Sequence, residues 1–189
     1  MARVLIVGGG CRGRRLAAQL VGEGSHAVRI TTRTESGLAA IEATGAECLI
    51  GTPDRLATLR GALDGVTVAC WLLATARGEQ AQVRALHGSR LEFFLGQAID
   101  TTMRGFVYEV PDTIGSAAEG ADDVQADLPT SAPRVRRAVP AVAIAEGERI
   151  VRAATSRNAI PLALVRADPG DPDAWLADAR GAVDSLLGV

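Results

Sequence analysis

The fold is decided near the start of the sequence, where residues 3–20 read RVLIVGGGCRGRRLAAQL. Residues 4–7 form a continuous aliphatic run, which is typical of a strand that is covered on both faces. Gly8-x-Gly10-x-x-Gly13 follows without a gap. In a strand–turn–helix unit, the first glycine permits a sharp turn, the second lets the backbone approach a diphosphate, and the third lets the helix pack closely on the strand. The stretch therefore predicts a nucleotide-binding turn, with an empty structural turn as the alternative.

The residues predicted to bind the cofactor follow the ends of successive strands. In such folds the diphosphate lies on the N–H groups that begin the first helix, the adenosine ribose lies at the end of the second strand, and adenine lies after the third. The predicted residues are Gly8, Gly10, Cys11, Arg12, Gly13, Thr32, Arg33, Thr52, Leu73 and Ala74.

The end of the second strand favours NADP(H) over NAD(H). An acidic residue at this position would accept a hydrogen bond from the free 2′-hydroxyl of NAD, whereas residues 31–34 read TTRT. Two hydroxyls and a guanidinium suit a 2′-phosphate, and Arg12 is a candidate for a second contact to it. The alternative is that Arg33 is only a solvated charge at a strand end.

The composition is that of one globular domain over residues 1–189, 48% hydrophobic and 22% charged. This length suffices for a sizeable core but not for a nucleotide domain plus a large separate substrate domain. A net charge of −2 gives no general attraction to nucleic acid or to an anionic membrane. The longest apolar stretch, 66–76, is too short to span a bilayer, and the first residues lack the apolar segment of a secretory signal. We therefore expect a cytoplasmic protein that binds a small-molecule cofactor and neither nucleic acid nor membrane.

Two residue types limit the chemistry. Cys11, Cys48 and Cys70 are odd in number and lack metal-type spacing, so no metal site and no disulfide framework are predicted. We expect them to be small buried fillers, although Cys11 in the glycine loop has a redox role as an alternative. All twenty positive residues are Arg, so the chain has no Lys for a Schiff base, for phosphate binding or for acid–base work.

Strands and helices alternate along the whole chain. Periodicity and turn residues predict strands at 4–7, 27–31, 47–51, 66–73, 105–110 and 160–165, and helices at 12–21, 36–44, 54–63, 79–101, 141–156 and after residue 172. This alternation predicts an α/β fold, namely a doubly wound, Rossmann-like parallel sheet of about six strands with helices on both faces. Segment 116–137 lacks periodicity and is expected to be a mobile loop, either a lid over the cofactor or a surface insertion.

Three further features leave alternatives open. Thr75 and Arg77 follow the fourth strand at the edge where open α/β sheets bind ligands, so they contact the cofactor's central part or a substrate anion, unless they belong to a surface loop. Asp54 is expected to cap the third helix, and the alternative is a place beside adenine. Phe93 and Phe94 lie together on one helix, which suggests packing against a second copy in a homodimer.

The chain resembles the atypical short-chain dehydrogenase/reductases, the branch that includes NmrA-like and epimerase-like NADP-binding proteins. Residues 7–14 (VGGGCRGR) and 31–33 (TTR) look like the cofactor motifs of that group. Residues 105–108 (GFVY) are similar to the family's fifth strand, and residues 145–151 (AEGERIV) to its active-site helix. The resemblance implies a nicotinamide-dinucleotide cofactor and oxidoreductase chemistry.

The residues that the resemblance would make catalytic are absent. Active family members carry a Tyr and, four residues later, a Lys that lowers the pKa of this Tyr so that it can protonate a carbonyl. Aligned on the active-site helix, the chain has Pro140 at the Tyr position and Ile144 at the Lys position, and the family's Ser falls at Val110 or Pro111. The only Tyr, Tyr108, is predicted to lie in a strand, so the catalytic residues are unknown.

Three functions fit these observations. The first is an NADP(H)-dependent reductase that positions an acceptor such as a flavin or quinone without a Tyr–Lys pair. The second is a non-catalytic NADP(H) redox sensor or partner-binding module. The third is a Rossmann-like scaffold that has lost its cofactor. Reduction of carbonyls by the usual Tyr–Lys chemistry is excluded because the chain has no Lys.

Overall fold

Helices and strands alternate in the computed structural model, which describes residues 2–8, 10–22, 26–112 and 137–188. The strands are β1 (Ala2–Val7), β2 (His26–Thr32), β3 (Glu47–Ile50), β4 (Val68–Trp71), β5 (Arg77–Gly78), β6 (Gly105–Glu109), β7 (Arg137–Ala138) and β8 (Leu162–Val165). The α-helices are α1 (Cys11–Gly22), α2 (Leu38–Glu42), α3 (Gln80–Leu86), α4 (Ser89–Ala98), α5 (Ala141–Arg157) and α6 (Pro172–Leu187).

Six strands form one parallel sheet in the order β3-β2-β1-β4-β6-β8. The order reverses between β1 and β4, which is the doubly wound arrangement whose ligand crevice opens at the carboxyl ends of the strands at this point. Val7 of β1 pairs with Thr31 on one side and with Trp71 on the other. The predicted fold class is thereby confirmed. The two-residue strands β5 and β7, which the sequence did not predict, pair antiparallel outside this sheet.

The core lies in two layers, one on each face of the sheet. Val4 and Ile6 point to the face covered by α1 and α6, and Leu5 and Val7 point to the face covered by α4 and α5. All four side chains are at most 1% exposed. Alternate burial on both faces explains why β1 is an uninterrupted aliphatic run in the sequence.

The predicted third helix, 54–63, is wrong. The chain forms two short 3₁₀ turns there, Leu56–Leu59 and Gly61–Leu63. Arg29, buried in β2, donates from Nη1 to the carbonyl oxygens of Gly61 at 3.0 Å and Ala62 at 2.8 Å, while its Nη2 pairs with Glu47 at 3.0 Å. These bonds tie the end of the segment to β2. The backbone bonds from Thr58 to Arg55 and from Leu63 to Arg60 span three residues, as in a 3₁₀ turn, and not the four of an α-helix.

The predicted long helix, 79–101, is two helices, because the backbone leaves the helical region at Gly88 between α3 and α4. The predicted helix at 36–44 is also shorter, being a 3₁₀ turn, Glu35–Gly37, followed by α2. Asp54 caps no helix. It pairs with Arg90 of α4 and accepts a hydrogen bond from Thr52.

The loop predicted at 116–137 lies outside the described residues, apart from Arg137 in β7. Phe94 belongs to the core and only Phe93, 49% exposed, is available on the surface of α4. The homodimer therefore stays a prediction with one aromatic side chain to support it. Among the described residues, no helix combines the length and apolarity needed to cross a membrane.

Candidate nucleotide-binding site

The glycine loop joins β1 to α1 at the carboxyl edge of the sheet. Gly8 has φ +119°, and a Cβ at this position would lie 2.5 Å from the carbonyl oxygen of Leu72. A Cβ at Gly13 would collide with the carbonyl oxygen of Gly8. The first and third glycines are therefore required by the turn and by the close approach of α1 to β1.

Gly10 differs from these two glycines, because a Cβ there would meet nothing within 4 Å. The described fold therefore gives no packing reason for glycine at this position. Gly10 is exposed, and open space beside its backbone fits a ligand that approaches the main chain closely.

The start of α1 supplies donors beside this space. The first helical hydrogen bond runs from the N–H of Arg14 to the carbonyl of Gly10 at 3.0 Å, so the helix itself does not use the N–H groups of residues 11–13. No acidic residue lies in the first turn. Free N–H groups at the positive end of a helix favour an anion, and the loop therefore fits the diphosphate of a dinucleotide.

Thr32, Arg33 and Thr52 lie on the β2–β3 side of the glycine loop. Thr32 ends β2 opposite Ile50 of β3, and its hydroxyl donates to the carbonyl of Thr34 at 3.1 Å. Arg33 is exposed, and no hydrogen bond or ion pair holds its guanidinium within the described part of the chain. Thr52 follows β3 in a turn, where its N–H donates to the hydroxyl of Thr58 at 3.0 Å.

Leu73 and Ala74 lie on the other side of the glycine loop, after β4. The N–H of Leu72 donates to the carbonyl of Val7 at 3.0 Å, so this segment continues beside β1. The N–H of Ala74 donates to Oε2 of Glu109 at 2.8 Å. The structure thus brings Gly8 close to Leu72 and Leu73. Arg33 and Thr52 follow β2 and β3, which lie on the far side of β1.

A buried ion pair lies on this second side. Glu109 lies at the carboxyl end of β6 and is fully buried. Its Oε1 accepts a hydrogen bond from Nε1 of Trp175 at 2.8 Å and forms an ion pair with Nη2 of Arg12 at 3.1 Å. The same Nη2 donates to the hydroxyl of Thr75 at 2.6 Å, and the guanidinium stacks 4.8 Å from the centre of the Trp175 ring. We call Arg12, Thr75, Glu109 and Trp175 the Arg12 cluster.

The Arg12 cluster corrects one expectation. Thr75 follows β4 and Glu109 ends β6, whereas Arg33 follows β2 on the opposite side of β1. Arg12 is therefore held on the β4–β6 side of the glycine loop, which disfavours the second contact to a 2′-phosphate that the sequence suggested.

Tyr108 and His87 form a second buried polar pair beneath residue 73. Nε2 of His87 lies 3.2 Å from the carbonyl of Leu73 and must donate to it, so Nδ1 accepts from the Tyr108 hydroxyl at 2.6 Å. Burial lowers the pKa of His87 to about 4, against a smaller opposing effect of the Leu73 carbonyl, so the ring is neutral near pH 7. Burial, together with the charges of Glu109 and Glu148, raises the pKa of Tyr108 above its ordinary value.

Tyr108 is therefore occupied inside the protein. Its hydroxyl also contacts the carbonyl of Ile144 at 3.3 Å and packs against Gly147 of α5, where a Cβ would collide with it. Pro140 precedes α5, and Ile144 is 2% exposed within it. Among the described residues, no hydroxyl acid is paired with an amine at the positions where the resemblance would require them.

The three cysteines differ in environment, so the expectation of three buried fillers is wrong for one of them. Cys70 is buried in β4 and burial raises the pKa of its thiol, Cys48 is half-buried, and Cys11 is exposed at the start of α1. All three are free thiols.

Sequence reasoning missed Glu109, Trp175 and His87. The available signal for Glu109 was a single acidic residue within the apolar run at 106–110. Trp175 and His87 gave no local signal, because their partners lie 66 and 21 residues away in sequence.

Solved structures with the same fold include enzymes, two of which hold NAD. A short-chain dehydrogenase/reductase superfamily protein from Agrobacterium tumefaciens with bound NAD aligns with a TM-score of 0.61 at 21% identity, over 87% of this chain and 48% of that one. UDP-glucuronic acid 4-epimerase from Bacillus cereus in complex with NAD gives 0.61 at 15% identity, over 87% and 55%. Triphenylmethane reductase from Citrobacter sp. gives 0.57 at 16% identity, over 87% and 48%.

These similarities define the fold, which is the Rossmann-like fold of epimerases and short-chain dehydrogenase/reductases, as the sequence resemblance predicted. The chain spans about half the length of these structures. No protein-family model matches the chain, and no curated protein matches it either.

Proposed function

We propose that the chain binds NADP(H) and acts as a reductase of the atypical short-chain dehydrogenase/reductase type without a Tyr–Lys pair. The observation that supports this best is the glycine loop. Gly8 and Gly13 are required by the fold, whereas Gly10 faces empty space beside the unused N–H groups that begin α1. Similar structures with bound NAD add support for a nicotinamide dinucleotide.

Each predicted residue has a part in this proposal. The first turn of α1 holds the diphosphate, Thr32 and Arg33 lie at the adenosine ribose, Thr52 lies near adenine, and residues 73–74 lie beneath the second half of the cofactor. The cofactor supplies a hydride, and the chain's contribution is to bind and orient. A flavin or quinone acceptor takes its proton from water, so the chain needs no acid of its own.

Arg33 is the residue that selects NADP(H). Its guanidinium follows β2, is exposed, and has no partner within the described residues that a 2′-phosphate would need to displace. A guanidinium matches the geometry of a phosphate and forms charge-assisted hydrogen bonds with it.

A non-catalytic NADP(H) sensor or partner-binding module is the second candidate. The burial of Tyr108 favours it, because the only phenol of the chain is bonded to His87 and Ile144 and offers no proton to the crevice. The sensor would bind the same cofactor at the same loop and differ only in the absence of turnover.

Titration of NADPH and NADH by calorimetry tests the proposal. We expect NADPH to bind more tightly than NADH, and Arg33→Ala to weaken NADPH about tenfold, or about 1.4 kcal/mol, without changing NADH. Arg157→Ala is the matched control, since Arg157 lies in the last turn of α5 and away from the carboxyl edge of the sheet. Binding of neither nucleotide at millimolar concentration would exclude both candidates.

Oxidation of NADPH in the presence of flavin and quinone acceptors separates the two candidates. Turnover that depends on the chain and is lost in Gly10→Ala supports the reductase. Binding without turnover with any acceptor supports the sensor. Equal losses of NADPH and NADH affinity in Arg33→Ala would contradict the 2′-phosphate contact.

A further inference from the structure

Arg12 is fixed more firmly than the diphosphate site requires. The helix start offers its backbone N–H groups whatever the side chain at position 12 does. The side chain nevertheless reaches across the crevice to three elements, through Thr75 after β4, Glu109 at the end of β6 and Trp175 of α6. These contacts fix the positive charge of Arg12 on the β4–β6 side of the crevice, where a ligand could contact it.

The guanidinium retains donors for a ligand. Only Nη2 of Arg12 has hydrogen-bond or ion-pair partners among the described residues. Buried polar side-chain atoms without a partner are found there in His26 and Arg29 but not in Arg12. The Arg12 side chain is 14% exposed, so Nε and Nη1 reach the solvent, and the neighbouring Thr75 is exposed.

The charge of the Arg12 cluster limits what can bind. Glu109 is fully buried and neutralises the charge of Arg12. A dianion bound beside Arg12 would be repelled by this carboxylate and attracted mainly by the positive end of α1. A monoanion brings half that charge and can take its hydrogen bonds directly from Nε or Nη1. Glu109 itself cannot touch a ligand, so it acts through Arg12.

We propose that Arg12 is the ligand-binding cation, and Glu109 a positioning residue, of a subsite that takes a small monocarboxylate on the β4–β6 side of the crevice. The proposal goes beyond the proposed function, because it concerns the binding of this anion beside the second half of the cofactor and assigns no hydride transfer to it. The sequence analysis left a substrate anion open for Thr75, and the Arg12 cluster identifies the cation that would bind it.

The two tryptophans provide the measurement. The indole N–H of Trp175 donates to Glu109 within the Arg12 cluster, whereas that of Trp71 donates to the carbonyl of Leu86 at 3.0 Å. We would titrate the ¹⁵N-labelled chain with pyruvate up to about 50 mM, a range that reveals millimolar dissociation constants. The NMR signal of the Trp175 indole N–H should shift, and that of Trp71 should stay unchanged. Pyruvamide, the uncharged counterpart of pyruvate, should shift neither signal.

Variants test the two assigned roles. Arg12→Gln should weaken pyruvate by at least about tenfold, while Arg15→Gln, whose guanidinium pairs with Asp173 instead, should leave it unchanged. Glu109→Gln removes the carboxylate that disfavours dianions, so the preference for pyruvate over inorganic phosphate should fall about fivefold or more. Glu109→Asp keeps the charge and should keep the preference, which a purely structural role of Glu109 would not predict.

Several outcomes would overturn the subsite. No shift of the Trp175 signal with pyruvate would exclude it, as would an unchanged affinity in Arg12→Gln or an equal response to pyruvamide. Tighter binding of phosphate than of pyruvate in the unsubstituted chain would contradict the monocarboxylate class. If pyruvate binds and NADPH does not, the subsite stands and the proposed function fails. If NADPH binds and pyruvate does not, the proposed function stands and the subsite fails.

Discussion

The two halves of the carboxyl edge of the sheet are built differently. On the β2–β3 side, the groups predicted to meet adenosine come directly after their strands and have partners close in sequence, such as Thr32 with Thr34. On the β4–β6 side, the polar groups belong to distant parts of the chain, and Glu109 joins the segment after β4 to α1 and α6.

The β2–β3 half is predicted to select the cofactor through an exposed side chain, whereas the β4–β6 half is held together by buried polar side chains. Arg33 is exposed and forms no hydrogen bond or ion pair with a described side chain, so substitution there should change ligand binding and little else. Glu109 and His87 are fully buried and hydrogen-bonded to the segment after β4. Removal of either leaves unsatisfied polar groups in the interior, so this half couples the shape of the site to the stability of the fold.

Gly8→Ala should have the largest effect on stability. The positive φ and the collision of Cβ with the Leu72 carbonyl together should cost about 4 kcal/mol of unfolding free energy in urea denaturation. Gly10→Ala is the control, because its Cβ enters open space and should cost less than about 1 kcal/mol. The same Gly10→Ala chain should nevertheless lose NADPH affinity. Equal destabilisation by both substitutions would contradict the distinct roles of the two glycines.

The sequence predicted the half of the site that depends on local spacing. The glycines and Arg33 could be proposed because each follows a strand directly, and a strand with its turn is a local pattern. Their roles in binding stay predictions. The Arg12 cluster was not found, since nothing in the residues around Trp175 reveals that its indole faces Glu109. The 3₁₀ turns after β3 were missed as well, since nothing in residues 56–63 reveals that Arg29 of β2 bonds to the carbonyls of 61–62.

Acid should destabilise the chain through His87. Its pKa is lowered from 6.5 to about 4 by folding, so the unfolded chain binds a proton on this ring at a higher pH than the folded chain. The contribution is fully present above pH 6.5 and is lost as the pH falls toward about 4, reaching roughly 3 kcal/mol. Urea denaturation measured across this range should show the loss.

His87→Gln and His26→Gln provide the comparison for this pH dependence. His87→Gln keeps a donor and an acceptor but cannot be protonated in this range, so the corresponding slope of stability against pH should vanish. His26→Gln should leave that slope in place, because the Tyr108–His87 pair is intact. A slope that survives His87→Gln would assign the acid sensitivity to other groups.

The smallest effect compares the same substitution at two tryptophans. Trp71 and Trp175 are each at most 1% exposed. The indole N–H of Trp71 donates to a neutral carbonyl, and that of Trp175 donates to a buried carboxylate. Trp→Phe removes the same atoms at both positions, so the difference reports the acceptor together with the weaker stacking of a smaller ring on Arg12. Because hydrogen bonds to charged groups contribute more, Trp175→Phe should cost about 1 kcal/mol more than Trp71→Phe in urea denaturation. Equal costs would mean that Arg12 and the Ala74 N–H satisfy Glu109 without the indole, and that the β4–β6 half depends less on α6 than the Arg12 cluster indicates.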